Sequence, residues 1–97
     1  MPHLKSEQIK ACLKSVPKWT KRAQAIHRTF EFEDFPGAIK FVNGVAKMAE
    51  KANHHPDIDI RWNKVKLALT THDEGGITDQ DFSLARQCDG IFSKKSR

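Results

Sequence analysis

Apolar and polar positions alternate along this chain with two different periods, and the switches between them mark out the elements. After Ser6, a fair N-cap, Ile9, Cys12, Leu13 and Val16 recur at helical spacing, and Pro17 closes this first helix. Trp19 to about Arg22 reads as a short edge strand. Ile26, Phe30 and Phe32 alternate with His27, Thr29 and Glu31, giving a strand with one apolar face; Arg28 interrupts that face and argues for a place near a sheet edge. Asp34 caps a central helix with Phe35-Pro36 in its first turn, where proline is tolerated. Ala38, Ile39, Val42, Val45, Ala46, Ala49 and Ala52 form a broad stripe, and its many small residues let the helix lie close to a sheet. His54-His55-Pro56 ends it, because the residue before proline disfavours the right-handed helical region.

Beyond Pro56 the period is two. Ile58, Ile60 and Trp62 alternate with Asp57, Asp59 and Arg61, and Val65, Leu67 and Leu69 with Lys64, Lys66 and Ala68, so two half-buried strands are expected. Asn63-Lys64 as a two-residue loop sets Trp62 opposite Val65, Ile60 opposite Leu67 and Ile58 opposite Leu69, with the apolar residues on one side. Carried further, that register sets His55 opposite His72, with the ladder loosening at Pro56. Gly75-Gly76 turn the chain, and Thr78 is a natural N-cap for a last helix of roughly sixteen residues striped by Leu84, Ala85, Cys88, Ile91 and Phe92. Asp81 falls inside that stripe, and a carboxylate on a buried face needs a partner. The helix's own N-terminal amides are one; a histidine at the end of the preceding strand is the other. The order αββαββα predicts an α+β two-layer sandwich, a four-stranded antiparallel sheet with helices packed on one face, and 97 residues fit a single domain over 1–97.

Composition narrows the function classes. The net charge of +5 would suit a polyanionic partner, but the lysines are scattered and the dense run Ser93-Lys94-Lys95-Ser96-Arg97 is terminal, so a solvated tail and no direct nucleic-acid binding are expected. Hydrophobic residues make up 38%, with no run approaching the ~18 apolar residues of a membrane span, and the start lacks the apolar core of a signal peptide. Cys12 and Cys88 fall in predicted helices without metal-like spacing and are expected as buried, reduced thiols of a cytoplasmic protein.

Three of the five histidines, His54, His55 and His72, lie between Glu50 and Asp81. Imidazole titrates nearest neutrality, so a convergent set can transfer protons or bind a metal. A zinc site of these three with Glu50 nearby is the competing reading; adjacent histidines project differently, unlike the i, i+4 pair of a helical zinc motif. His3 and His27 are expected to be without function, Trp19 to be core, and Trp62 is open.

The segments Glu50-Lys51-x-Asn53-His54-His55-Pro56, Asn63-Lys64-Val65, Thr70-Thr71-His72 and Gly76-Ile77-Thr78-x-x-Asp81 resemble the pterin-4a-carbinolamine dehydratases, with Phe30-Glu31-Phe32-Glu33-Asp34-Phe35 preceding the central helix as in that family. The resemblance implies elimination of water from a 4a-hydroxytetrahydropterin without cofactor or metal. His54 and His72 are then the proton-transfer groups, and His55 binds and orients the ring. Glu50 and Asp81 accept hydrogen bonds from histidine or substrate, Asp81 orienting His72, while Asn53, Pro56, Thr70 and Thr71 line or support the pocket. It also implies subunits paired through sheet edges into homodimers or homotetramers, a transcription-factor partner for animal members, and the cytoplasm, with the nucleus open as a second location. The sequence departs from the vertebrate pattern at Asn53, where Asp is common, at Ile58 and Trp62, where other aromatics appear, and at Gln80, where a basic residue is often seen.

Overall fold

The computed structural model describes residues 3–95, so the last two residues of the basic C-terminal run lie outside them. The order is α1 (Ser6–Leu13), β1 (Thr20–Arg22), β2 (Ala25–Glu31), α2 (Phe35–Ala52), β3 (Asp57–Arg61), β4 (Lys64–Leu69), a 3-10 turn (His72–Glu74) and α3 (Asp79–Lys95). The four strands form one antiparallel sheet in the order β1-β2-β4-β3, an α+β fold.

The helix termini are explained by local chemistry. Lys5, not Ser6, is the residue before α1, and the Gln8 side chain accepts from its amide at 2.8 Å. The helix ends at Leu13, ahead of Pro17, and i to i+3 bonds from Ser15 and Val16 tighten the turns that bring Val16 and Trp19 into the core. Asp34 caps α2 as expected, its carboxylate accepting from the Gly37 amide at 2.8 Å. At the other end Asn53 enters the left-handed region (φ 52°). Its amide donates to Glu50 O at 3.2 Å, and the His54 amide reaches back to Ala49 O at 3.1 Å. This is the paired closure that a residue tolerant of positive φ permits, so Asn53, rather than Pro56, stops the helix.

Cross-strand pairing sorts side chains onto two faces. Ile26 lies beside Leu69, Phe30 beside Val65, and both rows are buried under α2 and α3 by Phe41, Val45, Phe82, Ala85 and Cys88. Three expectations about the sheet fail. The β3–β4 loop is Trp62-Asn63, not Asn63-Lys64, so Ile58 pairs with Leu67 and Ile60 with Val65. Asn63 is held in the turn by two bonds with Phe32, its carbonyl accepting from the Phe32 amide at 2.8 Å and its side-chain amide donating to Phe32 O at 2.9 Å, while Trp62 takes positive φ (53°). A shift of two residues preserves the faces, which is why the apolar side of β4 is read correctly. However, β3 is an edge strand, and Ile58 and Ile60 stay 38% and 37% exposed rather than half-buried.

Arg28 is the third failure, since β2 is an interior strand. Its guanidinium faces the helices and is accommodated by Asp89 of α3 at 2.6 Å, with the Phe30 ring 4.2 Å away. The same Asp89 oxygen accepts from the indole of Trp19 at 2.9 Å. Trp19 is core, as expected, and Trp62 is 70% exposed. Cys88 is buried as expected and Cys12 only partly; both are free thiols. Burial pushes the Cys88 thiol up to about 12, with the neighbouring Asp89 charge adding to the effect and Arg28 opposing it.

Candidate functional site

The closure at Asn53 throws His54 off the end of α2 toward the start of α3. There its Nε2 donates to Asp81 Oδ1 at 2.5 Å. Asp81 is fully buried (0%), and the His54 side chain is 11% exposed. An ionised carboxylate in such a place is tolerable only when its lone pairs are used. The second oxygen, Oδ2, accepts from the Thr78 amide and from the Thr71 hydroxyl, each at 2.9 Å.

The proton order of this network follows from what each group can do. An ionised carboxylate only accepts, so Thr71 spends its single hydroxyl proton on Asp81. Thr78 Oγ1, 2.8 Å from Thr71 Oγ1, must then donate to it, and Thr78 Oγ1 in turn accepts from the Gln80 amide at 3.3 Å. The chain of donors ends on Asp81, and each link polarises the next. Thr78-x-x-Asp81 is thus a capping box in which an aspartate serves both the helix terminus and a histidine. Both partners foreseen for Asp81 are met in kind, amide and imidazole, but the imidazole is that of His54, not His72. The cause is geometric, for the left-handed turn at Asn53 directs His54 at the α3 terminus, whereas His72 starts a 3-10 turn at the surface.

The remaining residues fall around this pair. His55 Nε2 donates to Glu50 Oε2 at 2.6 Å in an exposed contact that spans the helix end. His55 is not opposite His72: β3 begins after Pro56 and its ladder reaches Asp57 opposite Ala68. His72 is exposed and its ring has no hydrogen bond among the described residues. It directly follows Thr71, whose backbone pairs with Gly76 and whose hydroxyl is held on Asp81, so Asp81 ties the segment carrying His72 to the segment carrying His54. Thr70 is not part of this cluster, because its hydroxyl donates to Gln24 O at 2.5 Å in the β1–β2 turn. Pro56 is half-buried just ahead of β3. Thr78 is the participant that residue-by-residue reading leaves as a mere cap; the Thr-x-x-Asp spacing was the signal available for it. Among the described residues no three His, Cys, Asp or Glu side chains form a group able to hold a metal ion.

Chemically, the carboxylate fixes the His54 tautomer. Nε2 carries its proton toward Asp81, and Nδ1 is the nitrogen left to exchange a proton with another molecule. A histidine oriented by a buried carboxylate is a general acid/base arrangement found on unrelated folds.

The chain is an α+β protein that sets a histidine–carboxylate pair where the end of α2 meets the start of α3. The family model for pterin 4 alpha carbinolamine dehydratase matches residues 2–91, and the chain belongs to that family. A Chloroflexus aurantiacus protein named "Putative pterin-4-alpha-carbinolamine dehydratase" is 53% identical over 92 residues, covering 95% of this chain and 99% of the relative. A Roseiflexus protein of the same name is 52% identical over 89 residues, covering 92% and 96%. Among solved structures, one described as a transcriptional coactivator/pterin dehydratase from Brucella melitensis superposes with a TM-score of 0.89 at 35% identity, covering 92% of this chain and 97% of that one. A pterin dehydratase-like protein described as a RuBisCO assembly factor in the alpha-carboxysome shares the fold, with a TM-score of 0.67 at 18% identity over 77% of this chain and 89% of that one.

Proposed function

We propose that this chain eliminates water from 4a-hydroxytetrahydrobiopterin to give the quinonoid dihydropterin, returning the oxidised cofactor of aromatic amino acid hydroxylases to its recycling route. The observation that carries this reading is the His54–Asp81 pair at 2.5 Å, with Asp81 also bonded to the residue before His72. In the reaction the C4a–O bond breaks, the N5 lone pair forms the C4a=N5 double bond, and N5 loses its proton. One group must protonate the departing hydroxyl and another must accept the N5 proton, and no electrons leave the system. Nδ1 of His54 and the exposed ring of His72 are assigned these transfers, from the two sides of the ring. His55, fixed by Glu50, orients the pterin. Imidazoles in these roles are worth typically ~10²–10⁴ in rate.

The test is a stopped-flow dehydration assay on 4a-hydroxytetrahydrobiopterin with wild type, His54→Ala and His72→Ala. The wild type should accelerate the reaction and each variant should lose most of that acceleration while remaining folded. Equal rates in all three would remove the assignment.

A second reading has its own support. The Brucella relative is described as a coactivator as well as a dehydratase, and β3 leaves Ile58, Ile60 and Trp62 uncovered. That apolar edge suits pairing into a homodimer or homotetramer, and docking of a transcription factor is the alternative role for the same scaffold. A cytoplasmic enzyme with access to the nucleus would accommodate both. No described helix is long and apolar enough to cross a membrane.

A further inference from the structure

The sheet face turned away from the helices holds a cleft that the dehydratase reading does not use. Alternation along β1 puts Thr20 and Arg22 on this face, and Lys18, in the turn ahead of β1, lines the same cleft. Thr20 pairs with His27 of β2, and Thr29, two residues on, pairs with Lys66 of β4. Together they line a cleft of about 250 Å³. Among the described residues no carboxylate lines it. Arg28 borders it, but its charge is committed to Asp89. Lys18, Arg22 and Lys66 make no ion pair among the described residues.

His27 adds a directional donor. Its Nδ1 is shut away from solvent and has no hydrogen-bond partner among the described residues. An orphaned buried N–H is more costly than an orphaned lone pair, so the neutral ring keeps Nδ1 bare and carries its proton on Nε2. The cleft therefore combines three unpaired cations, two hydroxyls and an imidazole N–H, all donors, which is the recognition chemistry of a tetrahedral oxyanion.

We propose that this cleft binds the phosphate group of a small molecule. Size favours a head group rather than a whole ligand, since enclosed pockets for drug-sized molecules begin at ~300 Å³. Charge favours a single phosphate over a nucleic-acid backbone. Asp59 stands directly across from Lys66 and Asp57 across from Ala68, and an adjoining cleft lined by both carboxylates shares His27 and Lys66. A run of phosphates leaving the cleft along the strands would pass over these negative charges.

The test is an amide NMR titration of the full chain with inorganic phosphate in a non-phosphate buffer, ionic strength held constant with sodium chloride. Saturable shifts confined to residues 18–22, 27–29 and 66 are expected. Arg22→Gln and Lys66→Gln should each weaken binding about tenfold, whereas Lys10→Gln on α1, outside the cleft, should leave it unchanged. Glycerol phosphate in a parallel titration separates two sources of the same chemistry: tighter binding than inorganic phosphate indicates a phosphomonoester, equal binding the free ion. Shifts that grow linearly without saturation, or that ignore both substitutions in well-folded variants, would overturn the proposal. So would a single-stranded oligonucleotide that binds through Lys64 and Arg61 with Arg22→Gln and Lys66→Gln unaffected. Dehydration kinetics do not enter this test, so it stands or falls apart from the reading of His54.

Discussion

Replacing Asp81 by Asn changes one atom in the most constrained part of the site. The wild-type carboxylate accepts three bonds, from His54, Thr71 and the Thr78 amide. An asparagine can keep two of them by turning its oxygen toward Thr71 and Thr78, where two donors converge. Its NH₂ then faces His54 Nε2, which must become an acceptor, and the imidazole proton moves to Nδ1. Stability falls by roughly the worth of one hydrogen bond to a charged group, about 1.5–3 kcal/mol. A domain with the usual ~5–15 kcal/mol of stability stays folded, so activity can be read separately. The dehydration rate should fall by ~10²–10⁴, because the nitrogen that meets substrate now carries the wrong proton complement. Urea unfolding gives the first quantity, stopped-flow absorbance the second, and ¹⁵N shifts of the ring the tautomer. A folded Asp81→Asn protein with a rate within about threefold of wild type, under 1 kcal/mol of barrier, would refute the reasoning. Asp81→Ala should be more damaging to the fold, by ~3–5 kcal/mol, since His54, Thr71 and Thr78 would all lose their acceptor.

Other expectations follow from the same structure. Thr71→Val should slow dehydration while Thr71→Ser largely restores it, because only the hydroxyl reaches Asp81; equal rates for the two would exclude a positioning role. Cys88 is raised by burial from 9.0 to about 12, so its thiol stays protonated in the fold where the unfolded chain ionises it. Its contribution is whole below pH 9 and is lost as the pH rises toward 12, at up to ~1.4 kcal/mol per unit; chemical denaturation between pH 8 and 11 should show a steeper decline for wild type than for Cys88→Ala. Asp89→Ala leaves Arg28 and the Trp19 indole without their acceptor and should cost about 3 kcal/mol by urea unfolding; a loss below 1 kcal/mol would mean the cluster is not a lock. Trp62→Gly removes an exposed ring and relieves positive φ, so monomer stability should hold or rise by about 1 kcal/mol. Sedimentation should show weakened self-association in the same variant.

Much of this was legible along the chain, and the failures have a common physical origin. The Asp34 cap, the apolar rows of β2 and β4, the N-terminus of α3 and the α+β order are all written in local spacing, where turn chemistry and burial act within a few residues. What local spacing cannot carry is contact across the fold. Arg28 looks like an intruder on an apolar face until Asp89, sixty-one residues away, supplies its counter-charge. The β3–β4 register depended on which residue would accept positive φ, and the bonds between Asn63 and Phe32 decided it against the usual preference for placing Asn first in the loop. That slip removes the pairing of His55 with His72. The meeting of His54 with Asp81 then rests on a second left-handed residue, Asn53, whose value as a helix terminator is readable in sequence but whose direction is not.

The most direct measurement is a titration of the folded protein with an unreactive, fully oxidised pterin, following the imidazole ¹H and ¹³C resonances of His54 and His72. If both rings surround one heterocycle, the two sets of signals shift together, saturate at the same concentration, and leave His3 and His27 unmoved. Shifts at one ring alone, or different saturation points for the two, would contradict a shared site.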